Sequence, residues 1–265
     1  MKKHIVILTI PGIGTHKTGY SEGFQEDLEK HARNTAFIGN YTVLETLPFA
    51  CTDIDENQKI LFARLKAENK LGGILSMRKL VLEAFGDGVA FEHNACRRDS
   101  SYHRIHIYMK ECIEYANSLL RKYDNAELVI LSSSLGCHIL STYIWDVDKS
   151  GGIFEYTPIT EDNNLRNLRY LATIGCNIPL FVSGLDENQV KSIDKRNERF
   201  TWDNYYDRDD VLGWPLQQLS DSYNALVNDH EINSGLYIGS HVKYWDDNDF
   251  TKPFTEKMVE IFSGM

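Results

Sequence analysis

Four short runs of β-branched, aliphatic and aromatic residues constrain this chain more than any other feature: IVILTI at 5–10, YTVLETLPFA at 41–50, AELVILSSS at 126–134 and LRYLATIGCNI at 168–178. They are near-continuously apolar rather than alternating, so each reads as a strand buried on both faces, the signature of a parallel sheet. Two less regular runs, RFTWDNYYD at 199–207 and EINSGLYIG at 231–239, read as further strands.

Helical periodicity separates the runs. From Asp99 to Tyr123, Ile105, Met109, Cys112, Ala116, Leu119 and Leu120 recur at three- and four-residue steps behind an Asp99-Ser100-Ser101 start rich in capping oxygens. After the serines, Leu135, Ile139, Leu140, Tyr143, Ile144 and Val147 form a second apolar face, which Gly151-Gly152 ends. Strands alternating with helices imply an α/β fold: a mostly parallel central sheet with helices on both faces, built by right-handed crossovers. The 265 residues read as one domain, 1–265, without repeats or low-complexity tracts. In such sheets reactive groups gather beyond the carboxyl ends of the strands.

One strand end stands out: LVILSSSLGCHIL. A strand turning sharply into a helix can hold a serine oxygen clear of the backbone only where the residues two before and two after it are small. Ser132 has Ile130 and Ser134 as those neighbours, and Ser133 has Leu131 and Leu135. Ser134 has Ser132 and Gly136, and it alone passes. The pattern S-x-S-x-G makes Ser134 the candidate nucleophile.

A serine hydroxyl needs a base, and the base needs a carboxylate to orient it. In folds with this elbow the chain order is serine, acid, histidine. Seven of the nine histidines precede Asp203, which leaves His230 and His241. His230 stands at the entrance of the last expected strand, the wrong end of the sheet, whereas His241 follows it; His241 is the candidate base. The acid should follow RFTWDNYYD, among Asp207, Asp209 and Asp210. Asp209, in a D-x-V step, is the first choice and Asp210 the alternative. Calcium binding by the same loop fits poorly, because Val211 and Gln218 fall where ligands are needed, and no metal is expected. For the oxyanion hole, Leu135 N–H beside the nucleophile and Ile13 N–H in the IPGIGTH loop are the candidate donors.

These segments together resemble the α/β-hydrolase superfamily: IVILTIPGIG its first oxyanion strand and loop, LVILSSSLG its elbow, LATIGCNIPL the next strand, DRDDVLGWPL and SHVKYW its acid and histidine loops. The likeness runs from residue 4 to about residue 245. Pro11 replaces the histidine usual before the oxyanion glycine, and Ser132 the first glycine of the elbow. The resemblance implies a serine hydrolase with Ser134, Asp209 and His241 as triad, esterase- or lipase-like, acting on a small-molecule acyl ester without a cofactor. Acyl transfer or peptide cleavage by the same triad, and a binding domain that kept the fold without turnover, remain alternatives. Between the second strand and the Asp99 helix, residues 52–98 form a helical insertion, broken at Gly72-Gly73, that is either a lid or helices packed on the sheet.

The formal charge of −10 and the scattered Lys and Arg argue against nucleic acid as partner. No run approaches the ~20 apolar residues of a membrane span. The basic start MKKHIVILTIPG suggests a secretory signal, but its apolar run is short and no A-x-A site follows, so it reads as a core strand. Five widely spaced cysteines without a CxxC pair fit a reducing compartment, and the expected location is cytoplasmic. Oligomeric state leaves no trace in the sequence.

Overall fold

A computed structural model describes residues 2–12, 16–52, 54–69, 85–92, 95–234, 241 and 243–265. Six strands, β1 (Lys3–Ile10), β2 (Tyr41–Glu45), β3 (Asn125–Ser133), β4 (Leu168–Ile174), β5 (Thr201–Asp207) and β6 (Val227–Ile232), form one sheet in the order β2-β1-β3-β4-β5-β6. Every neighbouring pair is parallel. The α/β class expected from the strand runs is therefore observed, and all six carboxyl ends lie along one edge.

Successive residues of β1 point to opposite faces, and each face has its own core. Val6, Leu8 and Ile10 pack with Ile105, Met109 and Ile113 of α4 (Ser101–Leu120) and with Ile139, Tyr143 and Ile144 of α5 (Leu135–Lys149). Ile5 and Ile7 pack with Phe24 and Leu28 of α1 (Glu22–Ala32) and with Phe250, Phe254 and Met258 of the helix Asn248–Gly264. Helices thus cover both faces, which is why the central strands read as continuous apolar runs. Ser100 caps α4 by accepting from His103 N–H, and α5 ends at Ser150 in the left-handed region, one residue before Gly151-Gly152.

Three strand boundaries depart from the sequence reading. β2 stops at Glu45 because Pro48 opens a 3-10 turn over Pro48–Cys51. β4 stops at Ile174, where Gly175 takes a positive φ of 52°. β6 occupies Val227–Ile232, beginning four residues before the expected 231–239, of which 235–239 lie outside the described residues; its sequence VNDHEI carries no apolar run because it is an edge strand with three exposed residues. His230 accordingly lies inside β6, paired in register with Tyr205, rather than before the strand.

Of the insertion at 52–98, helix α2 (Ile54–Asn69) and the helical residues 85–92, α3, are described; 70–84, with the Gly72-Gly73 break, lie outside the described residues. Ile54 and Phe91 are buried in the same core as α4 and α5. His138 of α5 bonds Glu92 at 2.7 Å and stacks on Phe181 with ring centroids 3.8 Å apart. Among the described residues no helix is long and apolar enough to cross a membrane.

Candidate active site

β3 delivers Ser134 to the carboxyl edge, and α5 begins at the next residue. Ser134 adopts φ 49°, ψ −122°, a conformation that costs an L-residue on the order of 1–3 kcal/mol. Its N–H donates to Ile174 O of β4 at 3.0 Å, which ties the strained residue to the neighbouring strand. The chain turns so tightly here that a Cβ on Gly136 would lie 2.6 Å from Pro11 O and 2.8 Å from Ile10 O, so the steric test holds strictly on the helix side. Ser132, at the first glycine position of the motif, is fully buried, and its hydroxyl donates to Cys137 Sγ at 3.4 Å. A serine fits there because α5 presents a polarisable thiol to it.

Sheet topology then sets the surroundings. The chain leaves β1 for β2 on one side and later returns to β3 on the other, so the crevice beyond β1 and β3 is a topological switch point. Gly12, two residues beyond β1, packs directly against Ser134: an added Cβ would meet the serine Cβ at 2.5 Å. Further along, Glu45 at the end of β2 accepts from Gly19 N–H (2.6 Å), Ser21 N–H (2.8 Å) and Ser21 Oγ (2.6 Å), pinning the chain between β1 and α1. Burial alone would raise the Glu45 pKa, but these donors outweigh it and hold it below the usual carboxylate value.

His241 lies beyond β6 and is 5% exposed. Its Nε2 is 2.7 Å from Ser134 Oγ, and its Nδ1 is 2.7 Å from Asp210 Oδ2. An ionised carboxylate only accepts, so Nδ1 carries the hydrogen and Nε2 is left to accept the serine proton. Asp210 is 5% exposed and also accepts from Leu212 N–H on Oδ1 (2.9 Å) and from Tyr244 O–H on Oδ2 (3.0 Å). Burial pushes the Asp210 pKa up; the His241, Leu212 and Tyr244 donors together outweigh it and hold the carboxyl below its ordinary value. The acid is therefore ionised at neutral pH.

The first-choice acid, Asp209, is not the residue the structure brings to His241; Asp210, the alternative, is. The reason is the turn that follows β5. Asp207 Oδ1 accepts from Asp209 N–H (2.8 Å) and Asp207 O from Asp210 N–H (3.1 Å), so the chain reverses within three residues. Arg208 and Asp209 form the exposed tip, with Arg208 paired to Glu231 at 2.6 Å, and Asp210 is the first side chain to return inward. A D-x-V pattern registers residue types and not the hydrogen bonds that orient them.

Leu135 opens α5, and its N–H is among the first-turn donors that lack an intrahelical acceptor, immediately beside Ser134. Ile13, the other candidate oxyanion donor, lies outside the described residues. One residue escaped the sequence reading, Tyr244; its only signal was its spacing, three residues after His241. Asp207, one of the three candidate acids, anchors the turn instead of facing His241. Among the described residues no group of three or more His, Cys, Asp or Glu side chains is placed to hold a metal ion.

A parallel sheet with a positive-φ serine between its third strand and the following helix, and a histidine supplied from beyond the last strand, has the fold that the resemblance to the α/β-hydrolase superfamily implies. No family model matches the chain, and no curated protein matches it. Among solved structures it is similar to a cutinase-like protein from Cryptococcus sp., with 10% identity, TM-score 0.42, and coverage of 98% of this chain and 95% of that one. It is similar also to an α/β-superfamily protein from Xanthomonas campestris pv. campestris (13%, TM-score 0.39, 99% of each chain). A third likeness is to the esterase domain of a Rhodothermus marinus protein (9%, TM-score 0.39, 97% of this chain and 87% of that one).

Proposed function

We propose that the chain is a serine hydrolase that cleaves a carboxylic ester through an acyl-enzyme on Ser134. One observation carries the reading: a continuous hydrogen-bonded series from Asp210 through His241 to the Ser134 hydroxyl, with both links at 2.7 Å and all three residues buried.

In this reading His241 Nε2 takes the Oγ proton as the oxygen attacks the acyl carbon, and Asp210 stabilises the imidazolium that forms. The carbonyl oxygen gains negative charge and is met by Leu135 N–H at the positive end of α5. Collapse of the tetrahedral intermediate breaks the bond to the leaving alkoxide, which receives its proton from His241. Water then repeats the sequence in place of the serine and releases the acid. The strained elbow serves by holding Oγ clear of the backbone before substrate arrives.

Fluorophosphonate labelling tests the reading. The wild type should be labelled at Ser134 and a Ser134→Ala variant should not; an unlabelled wild type would instead favour a binding domain that lacks turnover. A panel of acyl esters of graded chain length then defines the substrate class.

A further inference from the structure

We propose that Tyr244 is a positioning residue of this site, one whose hydroxyl holds the inner oxygen of Asp210 and ties it to the end of β5; the proposal rests on the triad reading above. Asp210 Oδ2 accepts two hydrogen bonds, from His241 Nδ1 at 2.7 Å and from Tyr244 O–H at 3.0 Å. The same phenol oxygen accepts from Asp207 N–H at 2.9 Å. Tyr244 is therefore a bridge between the last residue of β5 and the acid three residues on. It is fully buried, so water has no access to replace it.

The bridge also links two loops. Asp207 Oδ2 accepts from Ser234 N–H (2.6 Å) and Ser234 Oγ (3.0 Å), just after β6. Tyr244 reaches back to the acid turn from three residues beyond His241. The chain on either side of His241 is thus fastened to the turn that carries Asp210, at Ser234 before it and at Tyr244 after it. A base and an acid on separate loops keep a 2.7 Å contact only if the loops are tied to each other.

The phenol also has an electrostatic effect. A carboxylate oxygen that shares its charge with a second donor is a weaker hydrogen-bond acceptor, so the Tyr244 bond tempers the pull of Asp210 on the imidazole ring. The charged groups facing it among the described residues are Asp210 and Asp207, with His241 edge-on at 6.4 Å between ring centroids; on the β4 side stands the Gly175 backbone. Asp247, which senses Asp207, lies beyond. Burial first, then Asp210, raises the Tyr244 pKa, so the phenol remains a donor across the working range.

The test is the pH profile of Ser134 acylation by a fluorophosphonate or a short ester in the Tyr244→Phe variant. Its acid limb should move up by roughly half to one pH unit, with kcat lower by roughly tenfold and KM little changed, the order expected for losing one hydrogen bond to a charged group. The low-field proton resonance of His241 Nδ1–H should shift. In an Asp210→Asn background the same change should have less than about a twofold effect, because its target is gone. Should the phenylalanine variant fail to fold, difluorotyrosine at 244 keeps shape and hydroxyl while strengthening the donor, and should move the acid limb down. Unmoved acid limb and resonance in folded variants, or an undiminished effect in the Asp210→Asn background, overturns the proposal and leaves the triad reading standing. Absence of labelling at Ser134 in the wild type removes the triad reading, and this proposal with it.

Discussion

Gly12 is in contact with Ser134: a methyl group added to it would sit 2.5 Å from the serine Cβ and 3.2 Å from its hydroxyl oxygen. The contact follows from strand pairing, since Ile10 lies opposite Ser132 and the two strand ends leave the sheet side by side. The loop after β1 and the elbow after β3 are thereby built as one unit. Gly12→Ala should cut Ser134 labelling by roughly two orders of magnitude, since displacement of a reacting group by about 1 Å costs about that much. The sheet should remain intact by circular dichroism. An alanine variant that labels at the wild-type rate would show that the loop gives way without cost.

The two neighbouring aspartates separate cleanly. Asp210→Asn keeps the size of the side chain but favours the wrong imidazole tautomer, and should lower kcat by roughly 10⁴-fold. Asp209→Asn alters an exposed turn tip and should stay within about twofold. Steady-state kinetics on both variants decide it; a larger loss in Asp209→Asn than in Asp210→Asn would return the acid to Asp209.

Strain at the elbow predicts an inverted order of stability. At ordinary positions alanine is more stabilising than glycine by about 0.5–1 kcal/mol. At position 134, with φ 49°, Ser134→Gly removes the Cβ that makes the backbone costly, whereas Ser134→Ala retains it. The glycine variant should be the more stable of the two by roughly 1 kcal/mol in denaturant unfolding, although both are inactive. The usual order, alanine above glycine, would mean the elbow stores no strain.

His230, which is not part of the site, supplies a pH-dependent element of stability. It faces Asp203 at 3.3 Å across β5 and β6. The Asp203 hydrogen bond raises its pKa against the opposing effect of burial, while the Asp203 pKa is pushed up by burial and brought below its ordinary value by His230, Asn228 and Tyr170. The His230 contribution is complete below its unfolded pKa of about 6.5 and fades as pH rises through the raised folded value. The Asp203 contribution is complete above about 3.9 and fades as pH falls through its depressed value. The histidine is 45% exposed, so solvent screening limits the pair to roughly 0.5 kcal/mol. His230→Gln should therefore lower Tm by roughly 1–2 °C near pH 5.5 and leave it unchanged near pH 9. An equal loss at both pH values would assign the effect to packing on Tyr205.

Much of this architecture was legible in the sequence, for local reasons. IVILTI and AELVILSSS read as strands because both of their faces are covered, and S-x-S-x-G marked Ser134 because crowding at a strand-helix turn involves only nearest neighbours. Chain order left His230 and His241, and the expected position of the last strand then favoured His241, although that strand was placed four residues too late. That strand, VNDHEI, is an edge, where exposure removes the apolar signal.

Residue types, periodicity and local sterics thus determined the parallel sheet and singled out Ser134 at the strand–helix turn, since each depends on interactions within a few residues along the chain. Only the tertiary structure decided which aspartate faces the imidazole, that Gly12 abuts the serine, and that Tyr244 bridges acid and strand. The Ser134–His241 and His241–Asp210 bonds join residues 107 and 31 positions apart, and their formation turns on which side chain a three-residue reversal carries inward. Backbone hydrogen bonds at the end of β5 set that direction, and a string of neighbouring aspartates does not encode it in any pattern of residue types.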